Sequence, residues 1–289
     1  MAAPRRPGGS FQVVVSAEAS PYMAWQAKLA HYSCVTRLDH APLVVVHHRD
    51  SRQLQDFNDI AAAGGWVLRV PSYRITNRGF DYVPRNCAGT LLEAARVVDP
   101  RIEWLILCDP DVVFARRPRF GRTLAAAQCG YLDYSEPPVR EAMRRLGLAP
   151  DAISPSDIEL CCGIPYVIPR MLAEPLARSW LEAVDAFVPP RWEDLMYAFG
   201  IAVRMLDLRL RRTRMADTNY VPDAPVRAPV LHYCYDTQLW TKRRFGSSRA
   251  ARRVWMPPPG AKPGTVLAEI FDQLREAHRF YSQVGARPA

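Results

Sequence analysis

Hydrophobic spacing in the first hundred residues alternates between a strand-like and a helix-like period. Phe11–Ser16 (FQVVVS) is an apolar run suited to a central strand, and Ser20 followed by Pro21 supplies an N-cap with proline at the first helical position. A helix is therefore predicted from Pro21 to about Leu38. Leu43–His47 (LVVVH) reads as a second strand, Gln53–Ala63 as a helix stopped by Gly64 and Gly65, and Trp66–Val70 as a third strand. After a polar loop over Ser72–Asp81, a helix spanning about Pro84–Val98 leads into Glu103–Cys108 (EWLILC), an apolar run too short for a helix. This rhythm predicts an α/β fold with a parallel or mixed sheet.

Beyond Phe114 the pattern loosens. A short helix near Leu124–Gln128, a strand near Tyr131, a charged helix near Val139–Leu146 and a loop over Ala149–Asp157 are expected, then a strand over Ile164–Ile168. Helices follow at Arg170–Ala186 and Glu193–Leu206, parted by Pro189 and Pro190, which cannot donate backbone hydrogen bonds. Val230–Tyr235 (VLHYCY) is the last strand predicted, ahead of a basic, Pro-rich stretch to about Gly264 and a helix near Thr265–Val284. The chain thus divides into a flexible N-terminus (1–10), a catalytic domain (11–236) and a segment (237–289) packed on that same domain. With 289 residues, 49% of them apolar, it can fill one sizeable core without stapling devices.

The seven cysteines form no CxxC pair, and their odd number speaks against a disulfide framework or a zinc site. No eighteen-residue apolar run and no charged-then-apolar leader is seen, so a cytoplasmic protein with no membrane partner is expected. The net charge of +9 comes almost entirely from scattered arginine. That distribution favours a site attracting phosphate-bearing ligands over a nucleic-acid partner.

One motif stands out chemically. Glu103–Cys108 runs into Asp109-Pro110-Asp111, two carboxylates at the C-terminal end of a buried strand, where open α/β sheets place ligands. Carboxylates so placed need hydrogen bonds or a cation, and hard oxygen ligands favour Mn²⁺ or Mg²⁺, which keep positions open for diphosphate oxygens. Asp-Pro-Asp is also good turn chemistry. A third reading is a haloacid-dehalogenase-like phosphohydrolase, with Asp109 as nucleophile and Asp111 as acid/base. It needs a downstream lysine, and the only ones after Asp111 are Lys242 and Lys262 in the Arg/Pro-rich tail.

Four segments in order extend the picture: Ser20-Pro21-Tyr22 with Trp25-Gln26, Trp104–Phe114 (WLILCDPDVVF), Leu195–Val203 (LMYAFGIAV) and Leu231–Tyr235 (LHYCY). Together they resemble the plant peptidyl glycosyltransferases that place arabinofuranose on hydroxyproline or galactose on serine, over roughly residues 12–236. Asp109 stands where that family commonly has Glu. The resemblance implies a GT-A-like (Rossmann-like, nucleotide-binding) mixed sheet flanked by helices in a single domain. It also implies a hexosyl- or pentosyltransferase using a UDP-sugar donor with Mn²⁺, a hydroxyl acceptor on a peptide, glycan or small molecule, and retention of anomeric configuration. The family's members are Golgi membrane proteins, and its polar pocket segment is Cys161-Cys162-Gly163-Ile164 here. Both departures bear on sugar and acceptor.

The resemblance makes His232 the third metal ligand beside Asp109 and Asp111, although a lone histidine in an apolar strand is ordinarily a satisfied core residue. Glu193 and Asp194 open a predicted helix and would complement its dipole; one of them, Asp194 by preference, is the candidate catalytic carboxylate. For the donor, Ser16, Glu18 and Tyr22 are candidates for uridine and ribose, Tyr22 and Trp25 being otherwise core residues of the first helix. Arg85 and Asn86, at a helix start, suit the diphosphate together with Asp109. Asp157 and Glu159 are candidate acceptors of sugar hydroxyls.

Overall fold

The computed structural model describes residues 10–49, 51–119, 123–149, 151–154, 156–213, 216–217, 222–234 and 236–285. Residues 1–9 and Tyr235, for which a flexible terminus and a strand end are predicted, lie outside them. The chain is mixed α/β, with one seven-stranded mixed sheet flanked by helices, in the order β3 (66–71), β2 (43–48), β1 (11–18), β4 (104–108), β7 (162–169), β6 (125–128), β8 (211–213), and a second, three-stranded sheet in the order β5 (112–114), β10 (230–232), β9 (216–217). The elements are β1 (Phe11–Glu18), α1 (Pro21–Leu38), β2 (Leu43–His48), α2 (Asn58–Ala62), β3 (Trp66–Pro71), α3 (Asn86–Val97), β4 (Trp104–Cys108) and β5 (Val112–Phe114). There follow β6 (Ala125–Gln128), α4 (Pro137–Arg145), β7 (Cys162–Pro169), α5 (Arg170–Asp185), α6 (Asp194–Met205), β8 (Arg211–Thr213), β9 (Ala216–Asp217), β10 (Val230–His232), α7 (Ser248–Ala251) and α8 (Val266–Gly285).

Contacts group these elements into two compact units. The first comprises residues 1–14, 72–107 and 119–213. In it β7 pairs antiparallel with both β4 and β6, and β8 runs parallel to β6. Helix α5 packs against α3 and α6, and the rings of Tyr166, Trp180 and Phe199 meet with centroids 4.1–5.2 Å apart. The indole of Trp180 donates to the Leu195 carbonyl at 2.8 Å, satisfying the one polar atom of this wholly buried side chain.

The second unit comprises residues 15–71, 108–118 and 214–289. Strand β2 lies parallel to β3, while β10 pairs antiparallel with β5 and parallel with β9. Helix α1 begins as predicted: the Ser20 hydroxyl accepts from the Met23 amide at 3.2 Å, and Pro21 has no amide hydrogen to leave unpaired. It packs on β5 and α8. The core here joins Trp25, Leu29, Leu231, Tyr233, Trp240 and Phe271.

Three predicted elements are corrected. Leu124–Gln128 is not a helix: Ala125–Gln128 forms β6, because pairing with β7 on one side and β8 on the other outweighs the helix preference of its three alanines. No strand forms at Tyr131, which sits exposed in a turn after β6 ends. The helix expected over Gln53–Ala63 is 3₁₀ over Ser51–Phe57 and α only over Asn58–Ala62.

Candidate metal centre

Strand β4 is apolar on both faces, so it is buried and stops where the chain turns polar, at Asp109. Three residues on, at Val112, β5 begins. Its antiparallel register with β10 sets Val112 opposite His232, and the Tyr233 amide donates to the Asp111 carbonyl at 3.1 Å. A three-residue ladder thus carries the imidazole across 121 positions of sequence to the Asp111 carboxylate, with His232 Nε2 3.1 Å from Asp111 Oδ1. The ladder is itself fixed: the Phe114 amide donates to Ser33 Oγ and Gln273 Nε2 to the Phe114 carbonyl, both at 3.1 Å. One ligand atom from each of Asp109, Asp111 and His232 lies within 4.8 Å of the others.

Lys242, in a basic and Pro-rich stretch that the sequence alone marks as a tail, pairs its ammonium with Asp111 Oδ2. It arrives there through an anchor. After β10, the Thr237 amide donates to the Trp240 carbonyl at 3.0 Å and the Trp240 amide to Thr237 Oγ1 at 2.8 Å, closing a turn. Trp240 is buried among Trp25, Tyr233, Phe245 and Phe271, so the lysine two residues later has little freedom. Its Nζ stands 6.0 Å from the Tyr233 ring centroid, within cation–π range. A lone bulky tryptophan in an otherwise polar stretch was the signal available in the sequence.

The electrostatics are those of a site built around positive charge. Burial, then the neighbouring Asp111 charge, pushes the Asp109 carboxyl up to about 7. Burial works on Asp111 the same way, but the Lys242 ammonium and then His232 overcome it and hold Asp111 well below the usual carboxylate range. Burial would lower the His232 imidazole; Asp111 reverses this and raises it. Two carboxylates and an imidazole suit a divalent ion of the Mn²⁺ or Mg²⁺ kind, and the ammonium on Asp111 already stands in for part of the charge such an ion brings. The donor set fits the metal.

Ser16, Glu18 and Tyr22 belong to the same unit as this cluster. Ser16 is buried and Glu18 half-buried near the end of β1, and Tyr22 lies in the first turn of α1. Burial raises the Tyr22 phenol, and the next influences on it are Lys242 and Asp111, so its hydroxyl lies within the field of the cluster.

The remaining candidates belong to the first unit. Arg85 is committed to Asp185, Nε and Nη2 reaching its two oxygens at 2.9 and 2.8 Å, while Nη1 donates to the Tyr73 carbonyl at 2.7 Å. Asn86 Oδ1 accepts from the Tyr73 amide at 2.8 Å and Ser72 Oγ at 3.1 Å. Asp194 is 0% exposed and accepts from the Arg191 amide at 2.5 Å and its guanidinium at 3.0 and 3.2 Å. Glu193 sits 3.4 Å from the same guanidinium, which also binds Glu136 at 2.7 Å. Asp157 accepts from the Ser154 amide at 2.8 Å, and Glu159 is exposed.

Because Arg85 and Asp185 are both nearly buried, Arg85→Ala leaves an uncompensated carboxylate. It is expected to cost about 3–5 kcal/mol of stability while leaving metal-dependent nucleotide binding intact, read by thermal denaturation with and without UDP and Mn²⁺. Loss of nucleotide binding in a folded Arg85→Ala protein would return this arginine to the diphosphate.

Among the described residues no helix is long and apolar enough to cross a membrane. No protein-family model and no curated protein sequence matches this chain, so the reading of the centre rests on its geometry.

Proposed function

We propose that the chain is a metal-dependent glycosyltransferase of GT-A-like fold, moving a sugar such as L-arabinofuranose or galactose from a UDP-sugar to a hydroxyl acceptor with retention. The observation that carries this reading is the cluster itself: Asp109, Asp111 and His232 gathered around one point, with the Lys242 ammonium on Asp111. Asp109, Asp111 and His232 would hold Mn²⁺ or Mg²⁺. That ion, when bound, supplies Lewis-acid stabilisation of the charge developing on the leaving diphosphate. Lys242 adds a second positive charge beside Asp111. Ser16, Glu18 and Tyr22 bind the uridine and ribose in this scheme. The bond from the sugar's anomeric carbon to the diphosphate oxygen breaks, a bond to the acceptor oxygen forms, and the acceptor proton passes to the departing UDP oxygen. The mixed sheet with an antiparallel strand beside β4 supports the GT-A-like assignment.

A second reading, phosphomonoester hydrolysis with Asp109 as nucleophile, gains from the same lysine, since a phosphoryl group would need Lys242 close to the paired carboxylates. The two part on ligand. Thermal shift with UDP and a panel of UDP-sugars, each with Mn²⁺ and with chelator, is expected to show stabilisation only when metal and nucleotide are both present. A ligand at a hundred times its Kd adds about 2.7 kcal/mol. No response to any nucleotide, beside stabilisation by phosphate analogues with Mg²⁺, would replace the transferase with the hydrolase.

A further inference from the structure

Asp111 divides its carboxylate oxygens between two partners. Oδ1 faces the imidazole of His232, with Nε2 3.1 Å away, and Oδ2 takes the ammonium of Lys242. Neighbouring ligands of an octahedral ion stand about 3.0 Å apart when each bond is about 2.1 Å, so Oδ1 and Nε2 already have that spacing. An ion held by Asp109, Asp111 and His232 therefore needs only Oδ1, and Oδ2 stays with the lysine. The carboxylate is shared, which makes the ion and the ammonium close neighbours of like sign.

The ammonium is held in that place by its own backbone. Lys242 opens a 3₁₀ turn, Lys242–Phe245, that is pinned at both ends. Two residues before it, Trp240 packs on Trp25 and Phe271; at its end, the Phe245 ring sits 6.1 Å from Trp25 and 6.0 Å from Trp240. Thr241 Oγ1 accepts from the Arg243 amide at 3.3 Å and caps the turn. The next two cations in the chain point elsewhere: Arg243 is 76% exposed and pairs with Asp236 at 3.3 Å, and Arg244 is exposed. The fixed charge at the carboxylates is that of Lys242.

Counting charge shows what this does. Asp109, Asp111, Lys242 and a neutral, ligating His232 sum to one negative charge, which a divalent ion converts to one positive charge. Without the ammonium, the same donors neutralise the ion fully. Lys242 thus weakens the hold on the bare ion and strengthens the hold on an anion that joins it, since both effects come from the same surplus positive charge in a poorly solvated place. A factor by which one ligand tightens the other acts equally in both directions. We propose that Lys242 makes binding of the divalent ion and binding of the nucleoside diphosphate mutually dependent, the ion being held firmly only when the diphosphate is there to take up the surplus charge. The inference rests on the reading of Asp109, Asp111 and His232 as the metal ligands of a nucleotide site.

The test is Mn²⁺ titration of the full chain at pH 8, read from the EPR signal of free Mn²⁺, alone and with UDP kept below the level at which it binds Mn²⁺ in solution. Lys242→Gln removes the charge and keeps a donor for Asp111 Oδ2; Lys242→Met removes both. Each should bind Mn²⁺ alone about tenfold or more tightly than the parent chain, and the factor by which UDP tightens Mn²⁺ should shrink by about as much. Lys242→Arg, which keeps the charge, should stay closer to the parent in both measures. Mn²⁺ affinity unchanged or weakened in both neutral variants overturns the proposal and leaves the metal centre standing, as does a coupling factor that neither variant lowers. UDP that binds the parent chain equally with and without Mn²⁺ overturns it with no variant needed. Absence of Mn²⁺ binding or of UDP binding by the parent chain overturns the reading on which the inference rests. Melting in chelator shows that each variant is folded, and no outcome depends on turnover.

Discussion

Asp111→Ala is expected to abolish the metal-dependent stabilisation by UDP and to destabilise the fold in the absence of any ligand. The first effect follows from removing a carboxylate that touches both His232 and Lys242; turnover should fall by at least about a hundredfold, the scale of losing one electrostatic stabiliser of the transition state. The second follows from burial. Lys242 and Asp111 keep only 11% and 9% of their side chains exposed, and removing one member of such a pair costs about 3–5 kcal/mol, because the other charge is left without compensation. The melting temperature should drop by roughly 10 °C. Asp111→Ala combined with Lys242→Met should recover most of that stability and none of the metal response. A double variant no more stable than Asp111→Ala would mean that the ammonium is not the source of the cost, and UDP stabilisation with Mn²⁺ persisting in Asp111→Ala would remove this site from donor binding.

The second large effect is on pH. Asp109, raised to about 7, and His232, raised above its ordinary value, must both release protons before they can ligate a metal. Mn²⁺ affinity should therefore fall between pH 8 and pH 6, by about one to two decades per unit, with proton release measurable by calorimetry in buffers of different ionisation enthalpy. The metal-free protein should show the opposite trend. Both groups bind protons more tightly folded than unfolded, so the stability they contribute is complete below their unfolded values and is lost as pH rises through their folded ones. Chelated protein should accordingly melt lower at pH 8 than at pH 6, and Mn²⁺-loaded protein should close or invert that gap. A metal affinity flat across this range would show that Asp109 is already ionised without the ion.

The strands before Asp109 and the helix from Pro21 were legible because each carries its own local pattern; the helix expected over Gln53–Ala63 is the exception, being 3₁₀ over Ser51–Phe57 and α only over Asn58–Ala62. FQVVVS, LVVVH and WLILC are largely buried on both faces and announce themselves as strands, and Ser20-Pro21 marks a helix start through chemistry confined to one turn. The paired carboxylates were legible for a similar reason: two charges at the end of an apolar strand conflict with burial unless something compensates them.

Elements whose identity depends on neighbours were not legible. Ala125–Gln128 has no side chain that argues for a strand, and it is one because β7 and β8 supply its hydrogen bonds. Val112–Phe114 is too short to carry a period, yet its register with β10 is what seats His232 beside Asp111. Arg85 and Asp194 looked available for ligand because sequence shows charge but not partner; Asp185 lies a hundred positions from the first, and Arg191 engages the second with both backbone and guanidinium. Lys242 looked like one cation of a solvated tail because the local hint, Trp240 in a mostly polar stretch, marks an anchor without saying what the residue two positions later meets.

By itself, then, the sequence determined the α/β rhythm, the helix start at Ser20 and the carboxylate pair, all consequences of short-range periodicity and of the cost of burying charge. The tertiary structure alone decided which histidine and which lysine meet that pair and which charged residues are already spent on one another, because long-range pairing and the packing of an aromatic anchor leave no periodic trace along the chain.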